Sequence, residues 1–123
     1  MSSVRWHLAA CALAASAGQA AVADEAPHDW QLAGRMGLAQ FIIIPEAAAR
    51  DRAYYQRVID EACGENSTCF LRFFTNSRHK PVALPLDDAI YQEQTALFNR
   101  SMKARLELFR FACRLGMPDD GCF

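Results

Sequence analysis

Asn76-Ser77-Arg78-His79-Lys80 places an amide, a hydroxyl, an imidazole and two cations in consecutive positions. Such a set can grip an anion. Arg78 and Lys80, with free backbone N–H groups, would hold a carboxylate or phosphate, Asn76 or Ser77 would orient it, and His79 would serve as a base near neutral pH. The same residues also make an ordinary turn, in which Asn76 and Ser77 bond their own backbone and the cations keep the loop in water. A second basic group, Arg100, Lys103, Arg105, Arg110 and Arg114, is opposed within its segment by Glu107 alone. It offers a surface for an acidic partner or an anionic envelope polymer; as plain structure, these cations would complement a helix C-terminus and wet a strand face.

No reaction is named by a motif. The chain has no G-x-S-x-G, no H-E-x-x-H, no P-loop and no haem C-x-x-C-H, and Gly34 with Gly37 is too little for a dinucleotide fingerprint. No cofactor is implied. The adjacent acids Asp87-Asp88 and Asp119-Asp120 suit a cap or a turn, where neighbours need not face a common substrate. Asn66-Ser67-Thr68 and Asn99-Arg100-Ser101 fit the N-glycosylation pattern, which matters only in a source that glycosylates such sites.

The N-terminus carries an export signal. Arg5 precedes the apolar run Leu8 to Ala17, and Ala21-Val22-Ala23 supplies small residues before Asp24. That run is too short to span a bilayer, which takes about 20 residues. Leu8-Ala9-Ala10-Cys11 imitates a lipoprotein site, but Arg5 and His7 break the apolar stretch that must precede it, so anchoring at Cys11 is not expected. Residues 1 to 23 are thus expected to be removed, leaving a periplasmic or secreted protein of a bacterial envelope with no transmembrane segment. The formal charge is −1 and loses Arg5 on processing, so nothing draws the chain to nucleic acid.

Export leaves Cys63, Cys69, Cys113 and Cys122 in an oxidising compartment. Three pairings are possible. The turn-forming segments between neighbours, "GENST" and "RLGMPDDG", favour Cys63 with Cys69 and Cys113 with Cys122. A four-cysteine zinc site would normally show close C-x-x-C pairs, and this chain has none, which also removes a thioredoxin-like role.

The elements that would position these groups form a small α/β domain. Residues 24 to 38 mix Pro, Gly and charge without a period and read as a flexible or loosely docked leader, with the compact domain at 39 to 123. Ala39 to Ile44 is a strand covered on both faces. Pro45 to Cys63 follows as one amphipathic helix of about five turns, with Ala47, Tyr54, Val58, Ile59 and Ala62 on its stripe, Asp51 and Tyr55 at the margins, and Gly64 as its stop. Cys69 to Phe74 carries bulk on both faces and reads as a central strand, so strand, helix and strand make a parallel, right-handed βαβ unit. A loop from Asn76 to Pro85, with a short edge strand at Val82 to Leu84, leads to a second helix from Asp87 to Ser101 with Ile90, Leu97 and Phe98 buried. Leu106 to Leu115 alternates as a last strand. The expectation is β-α-β-α-β with about three strands, mixed or parallel, and two disulfides.

Parallel strands would bring Asn76 to Lys80 beside Pro45 and Glu46 at their carboxyl ends, where open α/β sheets bind ligands. The function this supports first is a non-catalytic binding or protein-interaction module. A small anion-binding protein or enzyme using the loop after the second strand is the alternative, and a structural subunit adding a strand edge to a partner sheet is the third.

Overall fold

A computed structural model describes residues 28 to 118 and 121 to 123. The export signal, Cys11 and the pair Asp119-Asp120 lie outside the described residues. Within them, strands β1 (Gln31–Met36), β2 (Ala39–Ile43), β3 (Thr68–Phe74), β4 (Gln94–Ser101) and β5 (Leu106–Phe111) form one sheet in sequence order. The helix α1 (Arg52–Cys63) joins β2 to β3, and a single turn of helix, α2 (Asp88–Tyr91), precedes β4. Among the described residues no helix is long and apolar enough to cross a membrane.

The predicted βαβ unit is present. β2 and β3 run parallel, with Ala39 opposite Phe70 and Ile43 opposite Phe74, and β3 is the middle strand. The other three pairings are antiparallel, so the sheet is mixed. It holds five strands rather than three, and both additions come from segments read otherwise.

The first addition is β1. Gln31–Met36, assigned to the leader, forms a hairpin with β2 through Gly37, whose φ of 59° suits a tight turn. Residues 28 to 30 are docked as well: Trp30 Nε1 donates to Glu61 at 2.9 Å, and the Tyr54 hydroxyl donates to Asp29.

The second is β4. Gln94–Ser101, expected as the second helix, pairs with β3 from Thr68↔Ser101 to Phe74↔Gln94 and with β5 on its other side. The backbone groups of β3 must be paired on both sides, and Thr95 and Phe98 suit a pleated surface. The helix therefore stops after one turn. Asp87 caps it as expected, accepting from the Ala89 amide at 2.9 Å. Val82 to Leu84 is not a strand.

The first helix is also shorter than its sequence pattern. Glu46–Ala48 is a 3₁₀ turn, and α1 begins only after Asp51, whose carboxylate accepts from the Tyr54 amide at 3.2 Å. An aspartate cap defines a stronger start than Pro45. The new phase puts Tyr55 at the centre of the buried stripe rather than its margin and leaves Ala47 exposed. Gly64, at φ 53°, ends the helix as read.

Both disulfides follow the favoured pairing, Cys63–Cys69 and Cys113–Cys122. The first joins the end of α1 to the start of β3. The last strand ends at Phe111, and Cys113–Leu115 turns as a 3₁₀ helix instead of continuing it. Phe123 then brackets Ala112: its amide donates to Phe111 O at 3.2 Å and its carbonyl accepts from the Cys113 amide at 2.8 Å, the pattern of a parallel bridge.

The main core lies between α1 and one sheet face. Tyr55, Val58 and Ile59 pack there on Ile42, Leu71, Phe73, Ala96, Phe98 and Phe111. A smaller cluster of Ile43, Phe74 and Ile90, with Phe41, Val82 and Leu86, occupies part of the opposite face.

Candidate functional site

The carboxyl ends of β2 and β3 do meet at one edge. There Asp29, Gln31, Pro45, Glu46, Asn76 and His79, over a floor of Ile43, Ile44 and Val82, enclose a cleft of about 330 Å³. Of the five loop residues read as a site, Asn76 and His79 line it, while Ser77, Arg78 and Lys80 lie outside the lining. The charges it presents are the carboxylates of Asp29 and Glu46. Asp29 is held by the Tyr54 hydroxyl, whose pKa is raised by burial and by that hydrogen bond.

The loop itself is a closed turn. Asn76 Nδ2 donates to Lys80 O at 2.8 Å, the Lys80 amide returns a bond to Asn76 Oδ1 at 2.9 Å, and the His79 amide donates to Asn76 O at 3.1 Å. His79 takes φ 50° to close it. Ser77 faces away, its amide donating to both Glu93 oxygens at 3.1 and 3.2 Å. Asn76 therefore spends its amide on the turn.

Next to this cleft, Arg50, Thr75, Glu93 and Arg114 surround a smaller polar recess that also touches Glu46. Its groups fasten the fold. Arg50 donates to Leu115 O at 3.0 Å, and Arg114 donates to the carbonyls of Gln94 and Glu93 at 3.1 and 2.8 Å. Burial works against ionisation of Glu93, but bonds from Ser77 and Thr75, with Arg114 nearby, outweigh it and hold the carboxyl below its ordinary value.

The second basic group does not form one surface. Arg100 follows the alternation of Phe98 toward the α1 side; it pairs with Glu107 at 3.5 Å, donates to Gly64 O at 3.0 Å and stacks over the Phe98 ring. Arg110 lies opposite Leu97 on the reverse face and donates to Gly121 O. Arg114 is committed as described, and Lys103 and Arg105 are exposed in the β4–β5 turn.

A different site comes from the sheet face opposite α1. Strand register aligns Ala39, Phe70, Asn99 and Leu108 in one row and Phe41, Arg72, Leu97 and Arg110 in the next. The segment Val82 to Tyr91 covers the β1–β2 side of this face but not its other half: Phe70, Leu97 and Leu108 belong to neither core cluster and are half-buried. A groove of about 250 Å³, lined by Met36, Phe41, Leu84, Pro85, Leu86, Asp88 and Tyr91, adjoins these rows. Met36 and Tyr91 expose 56% and 60% of their surface, which leaves large apolar side chains facing water along its rim. The sequence signal was Phe70-x-Arg72-x-Phe74, whose bulk reads as full cover on both faces although only Phe74 is fully covered.

Arg72 crosses this face. Its Nη1 donates to Leu71 O at 2.9 Å and to Asn99 Oδ1 at 2.7 Å, and burial lowers its pKa. Among the described residues no cluster of His, Cys, Asp and Glu could hold a metal ion. Comparison of the chain with protein-family models, with curated proteins and with solved structures finds no match.

Proposed function

We propose that this chain is an exported interaction module that docks a protein partner on the half-covered face of its sheet. The carrying observation is the continuity of half-buried Phe70, Leu97 and Leu108 with the groove rimmed by exposed Met36 and Tyr91. Contiguous apolar surface of this kind is removed from water by association. Export to the periplasm or beyond is supported by the N-terminal pattern and by two disulfides, which persist in oxidising compartments.

The test is site-specific photo-crosslinking in the source cell. A photoreactive residue at position 97 or 108 should give one discrete adduct, identified by mass spectrometry, and the same residue at exposed Gln56 on α1 should not. Absence of an adduct at both face positions would reject the reading.

The alternative, small-ligand binding at the carboxyl edge, has the cleft between Pro45, Glu46, Asn76 and His79 in its favour. Arg78 and Lys80 lie outside that lining and the Asn76 amide is spent on the turn, so His79 is the side chain left to hold an anion: if inorganic phosphate binds there, His79→Ala should abolish the affinity with the thermal midpoint nearly unchanged. Unaltered binding would sink it.

A further inference from the structure

We propose that the partner received by this face is a second copy of the chain, packed about a two-fold axis so that each Arg72 guanidinium meets the partner's Asp88. The proposal rests on the reading of the face as a docking surface and adds its occupant.

Arg72 carries a charge that has no counter-charge among the described residues. Arg72 is half-buried in the central strand, and its two acceptors, Leu71 O and Asn99 Oδ1, are neutral. Among the described residues the one ion pair is Arg100–Glu107. While the face is open, water solvates the guanidinium. A partner that removed that water with apolar groups alone would bury an unpaired cation, which is strongly unfavourable. Whatever covers Phe70 and Leu97 must therefore bring a carboxylate to the space above Arg72.

The same face holds such a carboxylate, displaced from the arginine. Asp88 lines the groove beside Phe41 and Tyr91, is exposed, and makes no hydrogen bond or ion pair of its side chain among the described residues. Its neighbour Asp87 is consumed by the cap of α2, so Asp88 is the acid left over. Phe41, which lines that groove, stands opposite Arg72 in the strand register, which sets the groove and the arginine side by side.

A two-fold interface must be self-complementary: each residue meets a different residue of the partner, and the reverse. A patch with a cation at one place, an anion at another and apolar side chains between meets that condition. Rotation by half a turn sets each Arg72 against the partner's Asp88, with Phe41 and Tyr91 closing together between the two pairs and Phe70 and Leu97 flanking them.

Sedimentation equilibrium of the oxidised chain over a roughly hundredfold concentration range tests this, since self-association follows mass action. Wild type should pass from one to two copies. R72E and D88R should each weaken dimerisation by about tenfold or more, and the double charge reversal should recover most of the loss. Asp88 is exposed and outside both cores, so D88R and D88N carry the test if R72E fails to fold. A monomer throughout, a dimer that D88R leaves unchanged, or a double variant with no recovery would overturn the proposal. A monomer that still crosslinks to another protein through position 97 overturns the self-pairing alone; a monomer with no adduct overturns the docking reading too.

Discussion

The Thr75 hydroxyl donates to the Glu93 carboxylate across 2.9 Å, fastening the end of β3 to the residue that precedes β4. The Ser77 amide shares that carboxylate, so one side chain holds both the strand end and the first turn of the loop. Replacing Glu93 with alanine should destabilise the domain by about 1 to 3 kcal/mol, the range for hydrogen bonds to a charged group. The folded carboxyl is held below its ordinary value, so its contribution is present above about pH 4.3 and is lost as pH falls through the lower folded value. Urea unfolding from neutral to acid pH should show a shallower acid loss in Glu93→Gln than in wild type. An identical pH slope would refute the assignment.

Tyr55 is wholly buried, edge-on to Phe73 at 4.9 Å between ring centres, and its hydroxyl donates to Ala49 O at 2.7 Å. Tyr55→Phe should cost about 1 kcal/mol for the lost bond, and Tyr55→Ala about 3 to 5 kcal/mol for the cavity. Burial pushes the hydroxyl up to about 12. The folded state thus holds this proton more tightly than the unfolded chain, so its stabilisation is full below about pH 10 and fades as pH rises through the folded value. Alkaline unfolding of Tyr55→Phe should lack that component.

The two disulfides should differ in reach. Cys63 and Cys69 are buried, and the bond between them clamps α1 to the central strand. Their joint replacement by alanine should lower global stability by about 2 to 3 kcal/mol in a denaturant melt. Cys113 and Cys122 are exposed, and their bond secures the segment that brackets Ala112. Joint replacement by serine should speed hydrogen exchange at the amide of position 113 while amides in the β2–β3 pairing stay protected. Equal acceleration throughout the sheet would contradict this division.

Gly34 lies against Leu84. A β-carbon at Gly34 would stand 2.6 Å from Leu84 Cδ1, and its φ of 150° is one that other residues rarely adopt. Gly34→Ala should destabilise by about 1 to 3 kcal/mol and loosen Val82 to Tyr91 from the sheet. Leu84→Ala in the same chain should recover part of the loss. Independent, additive costs in a double-mutant cycle would show that the contact does not limit this position.

The βαβ unit was legible because its cues agree: an apolar run, a Gly64 stop and a second apolar strand permit one connection. β1 was hidden because an exposed edge strand needs few apolar residues, and Gly34 and Arg35 dilute those it has. β4 was misread because Ile90, Leu97 and Phe98 fit a helical stripe, although the unpaired side of β3 demanded a strand. The carboxyl-edge location of Asn76 and His79 was legible from topology. The consumption of the Asn76 side chain in a turn was not, since an asparagine can serve either use. The open sheet face escaped notice because sequence reports the bulk of Phe70 and Arg72 but not what covers them.

The bracket around Ala112 has a consequence for growth of the sheet. Because Phe123 occupies the outward carbonyl of Phe111 and the amide of Cys113, a neighbouring chain finds the C-terminal end of the β5 edge already closed. The opposite margin, β1, is kinked by a bulge between Leu32 and Gly34. With one margin closed at its end and the other bent, strand-by-strand growth of the sheet is disfavoured at both margins, which leaves the broad side as the more accessible surface.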